Sequence, residues 1–265
     1  MGIDVLPLSV AIITKNEEER LPGCLASVAM AAEVVVVDSG SVDRTVEIAG
    51  KFGARVYHEE WLGFGRQKQK AIDYCTQPWV LVLDADERVT PELEAEISGL
   101  LAVPTTVAAW SIPRKNYFCG HWLRHAGWWP DRVIRLFRRG MARMSDRIVH
   151  EALQVNGSVA ELRSPLLHLT HRDLTQTLAK INQYSSAGAQ ELARRGVRGS
   201  VTKAVLRAGW AFINSYFLRT GFLDGGPGLV QAITHAVNTL FKYLKLWELQ
   251  QQVNLNGNRS DQGGV

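Results

Sequence analysis

The chain has 265 residues, 46% of them hydrophobic and 21% charged, which is enough to bury a full core and ordinary for a globular protein. Its three cysteines, Cys24, Cys75 and Cys119, are odd in number and lack metal spacing, so neither a disulfide framework nor a zinc site is expected and a reducing compartment is. The net charge of +4 hides a split: residues 1–100 carry 9 Lys/Arg against 17 Asp/Glu, and residues 101–265 carry 21 against 9. A basic half of this kind faces an anionic partner: nucleic acid, an anionic membrane or a phosphorylated substrate. No secretory signal is expected, since no charged n-region precedes an apolar h-region, and no uncharged apolar run reaches the ~18 residues of a membrane span.

Residues 8–14 read as a first strand, and Asn16-Glu17-Glu18-Glu19 is expected to open a helix whose apolar face is Leu21, Cys24, Leu25 and Val28. Residues 34–37 form a second strand ending at Asp38-Ser39-Gly40-Ser41, and a helix over 43–52 and a third strand over 53–57 follow. Residues 65–75 are helical and lead to the apolar run Val80-Leu81-Val82-Leu83, which stops at Asp84-Ala85-Asp86-Glu87. Strand and helix alternate four times in under 90 residues, the pattern of a mainly parallel sheet with helices on both faces.

Two acids spaced i, i+2 at a strand end repel each other unless a cation lies between them. A divalent metal carrying a phosphorylated ligand answers that need, and ligands of open α/β sheets bind beyond the carboxyl ends of the strands. Strand ends one, two and four all present polar groups: Thr14 to Glu17, Asp38 to Ser41, and Asp84 to Asp86. Neither G-x-G-x-x-G nor a Walker loop follows the first strand.

Beyond residue 100 the pattern is less regular. Short strands are expected at 107–112, 132–138 and 159–168, around a loop holding Trp122, Trp128 and Trp129. Residues 173–196, 201–223 and 228–251 read as helices, the last two separated by Gly225-Gly226-Pro227-Gly228. This gives a domain over 1–172, in two halves at 1–100 and 101–172. A helical region at 173–252 and a flexible tail at 253–265 complete the division.

Three motifs in order, Ile12-Ile13-Thr14-Lys15-Asn16-Glu17, Val37-Asp38-Ser39-Gly40-Ser41 and Leu83-Asp84-Ala85-Asp86, resemble the family 2 inverting glycosyltransferases. Arg135-Leu136-Phe137-Arg138-Arg139, Arg147-Ile148-Val149-His150-Glu151, Leu167-His168 and Phe222-Leu223-Asp224-Gly225 resemble the lipopolysaccharide core β-glucosyltransferase branch. The resemblance implies a GT-A-like (Rossmann-like) α/β fold and transfer of a hexose, glucose by preference, from a UDP-sugar to a heptose of the inner core. By the same resemblance Thr14, Asn16 and Glu17 line the nucleoside pocket, and Asp38 and Ser39 hold the uracil or ribose. Asp84 and Ala85 border the ribose and the metal's hydration shell, while Asp86 and His168 ligate Mg²⁺ or Mn²⁺. Arg66 and Lys70, with Lys68, are cations for the diphosphate at the pocket rim.

Inversion needs a base for the acceptor hydroxyl. Glu151 is the choice and Asp131 the alternative. A competing role for Glu151 is an ion pair with Arg147, and for Asp131 a turn after Pro130. The C-terminal helices combine large apolar residues with Lys203, Arg207, Arg219, Lys242 and Lys245, which suits either an anionic membrane surface or packing on another subunit. The partners expected are therefore a nucleotide sugar, a lipid A–linked core acceptor and the cytoplasmic face of the membrane. The competing readings are a transferase acting on another polysaccharide, lipid-linked or protein acceptor, a nucleotidyltransferase, a nucleic-acid module and a non-catalytic membrane scaffold.

Overall fold

The computed structural model describes residues 5–145, 152–171 and 173–260. In chain order the first elements are β1 (Leu6–Thr14), α1 (Leu21–Ala26), β2 (Ala31–Asp38), α2 (Thr45–Lys51), β3 (Arg55–His58), α3 (Phe64–Asp73) and β4 (Trp79–Asp84). Then come β5 (Glu87–Val89), α4 (Pro91–Leu101), β6 (Ala109–Phe118), β7 (His121–Trp122), β8 (Asp131–Arg138), β9 (Ala142–Met144), β10 (Leu153–Val155), β11 (Val159–Glu161) and β12 (Leu166–His171). The chain finishes with α5 (Leu174–Arg194), α6 (Val201–Ile213) and α7 (Gly225–Ser260). It divides into two compact units, Met1–Lys115 with Pro130–Leu169, and Asn116–Trp129 with Thr170–Val265.

The main sheet runs in the order β3-β2-β1-β4-β8-β6-β12-β5. Its first four strands are parallel, as the alternation of strand and helix requires, whereas β8 joins β4 and β6 antiparallel. Both faces of the parallel half are covered, which explains its continuous apolar runs. Leu8, Val10 and Ile12 of β1 pack with Leu81 and Leu83 of β4 under α1, α2 and α4. Ala11, Val35, Val37, Val80 and Val82 pack on the other face against Ala71 and Ile72 of α3. Helix α4 starts where Thr90 Oγ1 accepts the Leu93 N–H, with Pro91 in the first turn where its missing N–H costs nothing.

Two local expectations change. Residues 16–20 form no helix: Asn16 adopts a left-handed backbone (φ 55°), and α1 begins only at Leu21. The side chains of this stretch are drawn into the neighbouring loop instead, as described below. The break in the C-terminal helices also moves. Residues 214–218 widen into a π turn, Thr220 is left-handed, and α7 already starts at Gly225, because Pro227 is tolerated in a first helical turn.

Candidate active site

The parallel register aligns Thr14 with Asp38 and Ile13 with Asp84, so the carboxyl ends of β1, β2 and β4 form one edge where the strand order reverses direction around β1. Asp38 is 1% exposed and accepts from Thr14 Oγ1 (3.2 Å), from the N–H groups of Gly40 (3.0 Å) and Ser41 (2.9 Å), and from the Ser41 hydroxyl. Asn16 and Glu17 are locked to this loop, as Val42 N–H donates to Asn16 Oδ1 (2.9 Å) and Glu17 N–H to Thr45 Oγ1 (2.7 Å). The Ser39 N–H donates to Thr14 O (3.0 Å), and its hydroxyl accepts from buried Gln67 (2.9 Å). The first two polar strand ends therefore form one hydrogen-bonded rim.

The third polar strand end carries a chain of charges around buried Lys68, Glu87 and Arg135. Asp84 Oδ1 lies 2.7 Å from Lys68 Nζ, and Asp84 Oδ2 lies 2.6 Å from Arg135 Nη2. Burial alone would raise the Asp84 carboxyl, but Lys68 and Arg135 outweigh it and hold the group well below the ordinary carboxylate range. The same Arg135 Nη2 is 2.6 Å from Glu87 Oε1, a side chain with no exposure, and Arg114 Nη1 approaches that oxygen at 3.3 Å. Arg114 then donates twice to Asp131 Oδ2, at 3.0 and 2.6 Å.

Asp86 faces a different group. Its Oδ1 is 3.5 Å from His168 Nε2 and its Oδ2 is 3.7 Å from Arg20 Nη1, while Arg20 also reaches Glu17 at 3.9 Å. The Leu169 N–H donates to Asp86 O (2.9 Å), which ties β12 beside the turn after β4. Burial pushes His168 down to about 4, so at neutral pH its imidazole keeps a lone pair for a cation. Among the described residues no three His, Cys, Asp or Glu side chains cluster as a complete metal cage. One carboxylate oxygen and one neutral imidazole suit a Mg²⁺ or Mn²⁺ that takes its other ligands from phosphate and water.

Of the residues expected at the site, Thr14, Asn16, Glu17, Asp38 and Ser39 share the first rim, and Asp84, Ala85, Asp86 and His168 share the β4 end. Lys68 pairs with Asp84, whereas Lys70 pairs with Glu59 (3.4 Å) and Arg66 is exposed. Glu151 and His150 lie outside the described residues. Trp122, Trp128 and Trp129 belong to the second unit, where Trp122 and Trp129 meet edge to face at 5.5 Å. The sequence pattern gave no site role to Arg20, Glu87, Arg114 or Arg135. A signal for the last existed: an arginine inside the apolar run Val133–Phe137 must find a buried carboxylate.

A parallel α/β half-sheet with carboxylates gathered beyond its switch point, and no glycine-rich phosphate loop, frames the candidate site. The chain belongs to glycosyl transferase family 2, whose model matches residues 9–161. It is 33% identical over 258 residues to the lipopolysaccharide core biosynthesis glycosyltransferase LpsC of Rhizobium meliloti, covering 93% of this chain and 94% of that protein. An uncharacterized glycosyltransferase of Rickettsia typhi is 32% identical over 254 residues, covering 91% of this chain and 87% of its own. Among solved structures, S. aureus TarS (1–349) in complex with UDP superposes with a TM-score of 0.47 at 15% identity, over 92% of this chain and 91% of that one.

Proposed function

We propose that this glycosyltransferase moves a hexose, glucose by preference, from a UDP-sugar to a sugar of the lipopolysaccharide core, with inversion and with a divalent metal. The observation that carries the donor half is the juxtaposition of Asp38, Asp84 and Asp86 at one sheet edge, with His168 3.5 Å from Asp86. The acceptor half is supported by the likeness to LpsC along nearly the whole of both chains.

In this reading Thr14, Asn16, Glu17, Asp38 and Ser39 bind the nucleoside, in a rim already organised by hydrogen bonds before the donor arrives. Asp86 and His168 hold Mg²⁺ or Mn²⁺, which when bound offsets the charge growing on the departing diphosphate. Arg20, between Glu17 and Asp86, and Lys68, on Asp84, add fixed positive charge at the same edge. Asp84 and Ala85 set the floor beside the ribose. Glu151, in the stretch that resembles the family's late acidic motif, is the base that takes the acceptor proton, with Asp131, whose Oδ2 accepts twice from Arg114, as the alternative. A lipid-linked acceptor places the reaction at the cytoplasmic face of the membrane, where nucleotide sugars are available.

Calorimetry of UDP binding, with Mn²⁺ and then with chelator, tests the donor site. The expected result is binding that chelator removes and that Asp86→Ala loses by about tenfold or more, the scale for a lost ligand or its partner. An Asp86→Ala protein with undiminished metal-dependent UDP affinity overturns the ligand assignment.

A further inference from the structure

Helix α6 turns its apolar side outward. Ala204 (0% exposed) and Ala211 (8%) face the helical unit, while Leu206 (69%), Trp210 (55%) and Ile213 (45%) lie on the side away from them. The π turn and the turn after it continue this surface with Phe217 (55%), Leu218 (61%) and Leu223 (59%). Its aromatic rings are packed against one another, Tyr216 with Phe217 at 5.1 Å and with Phe222 at 6.3 Å. A helix buried by its alanines and exposed by its leucine, tryptophan and isoleucine is the reverse of a surface helix in water.

The sequence around this patch is basic. Between Glu191 and Glu248 the sequence holds eight Lys and Arg and one acid, Asp224. That acid is 6% exposed, and its carboxylate accepts from the N–H groups of Arg124 and His125 and pairs with the His125 ring at 2.8 Å. A cavity of about 570 Å³ beside Leu206 and Trp210 is lined by Lys203 and Arg207, with the hydroxyls of Ser200 and Thr202. Lys203 and Arg207 thus flank the exposed apolar side chains of α6, and residues 201–223 contain no Asp or Glu.

We propose that α6 and the turns after it, residues 201–223, lie on an anionic lipid bilayer. Leu206, Trp210, Phe217 and Leu223 enter the boundary between headgroups and acyl chains, while Lys203, Arg207 and Arg219 meet lipid phosphates. The segment lies on the membrane rather than crossing it, since no described helix is long and apolar enough to span one. A second copy of this chain fits the patch poorly, because a two-fold contact would set the same basic rim against itself. The inference deepens the proposed function by naming the surface on which a lipid-linked acceptor is met, and it stands on the helical unit alone.

The test is flotation of the full chain with vesicles of phosphatidylcholine alone or mixed with phosphatidylglycerol, at low and high salt. The expected result is partition to the anionic vesicles that salt weakens. Trp210→Ser with Phe217→Ser should reduce it by about tenfold or more, from the apolar area withdrawn. Lys203→Gln with Arg207→Gln should reduce it by about fivefold per charge removed. All four positions are on or beside the exposed face, and matched circular dichroism and melting confirm that each variant is folded. Transfer to a water-soluble acceptor fragment should be unchanged in these variants. Absent transfer by the wild type, with vesicle binding intact, counts against the proposed function and leaves this inference standing. No partition, equal partition to neutral vesicles, or a dimer that Trp210→Ser dissolves would overturn it.

Discussion

Arg135 is the keystone of the charges beneath the β4 end, and its removal has a calculable cost. Its side chain is 8% exposed, and one guanidinium nitrogen sits 2.6 Å from both Asp84 and Glu87. Arg135→Met keeps the volume and removes the charge. Breaking a buried pair by deleting one partner costs about 3–5 kcal/mol, because the other charge stays buried. Here each carboxylate keeps a second cation, Lys68 for Asp84 at 2.7 Å and Arg114 for Glu87 at 3.3 Å. The expected loss is therefore at the low end, about 3 kcal/mol, or about 6–12 °C in Tm for a chain of this size. Urea unfolding followed by circular dichroism reads it, with Glu87→Gln and the double variant completing a cycle. The coupling should be about 1–3 kcal/mol, as for groups in one network. A loss under about 1 kcal/mol, or no coupling, would show that the pairs are solvated and that Arg135 does not organise the strand end.

Glu33 gives a pH prediction. Burial raises its carboxyl, but Ser9, the two Thr76 donors and Arg55 outweigh burial and lower it. A depressed carboxylate contributes stability that is complete above its unfolded value of about 4.3 and fades as pH falls through the folded one. Glu33→Gln should cost about 1.5–3 kcal/mol at pH 7, with the gap to wild type closing below about pH 4. A gap independent of pH in urea titrations would refute that account. Glu151→Gln should leave UDP affinity intact and lower turnover by about 10²–10⁴-fold, the range for a lost general base. Near-normal turnover would transfer the role to Asp131.

Much of the fold was legible because local pattern and tertiary environment agree. The valine-rich runs at 34–37 and 80–83 are continuous because both faces of those strands are covered, and parallel pairing then sets Thr14, Asp38 and Asp84 at one edge. The D-x-D spacing called for one cation between its acids, whereas the structure gives each its own, Lys68 and Arg135 for Asp84 and Arg20 for Asp86. The helix start expected at 16–19 moved to Leu21 for a different reason. Its acidic residues looked like a first turn, yet the Glu18 carboxylate accepts the Arg44 N–H (3.0 Å) and the Glu18 N–H donates to Asp43 (3.2 Å), bonds made with residues 25 and 26 positions away.

The sequence by itself therefore determined the alternation of strands and helices, the polar strand ends and the basic, acid-poor C-terminal half. Those properties follow from residue type and spacing along the chain. Only the tertiary structure decided which cation serves which carboxylate. Lys68 and Lys70 are two residues apart on α3, and only Lys68 faces Asp84. Arg135 reaches the same carboxylate from 51 residues away, across an antiparallel strand pair. Tertiary structure also turned the apolar side of α6 outward, because Ala204 and Ala211 are small enough to let the helix pack closely through them. Periodicity shows that a helix has two faces, and packing decides which of them meets water.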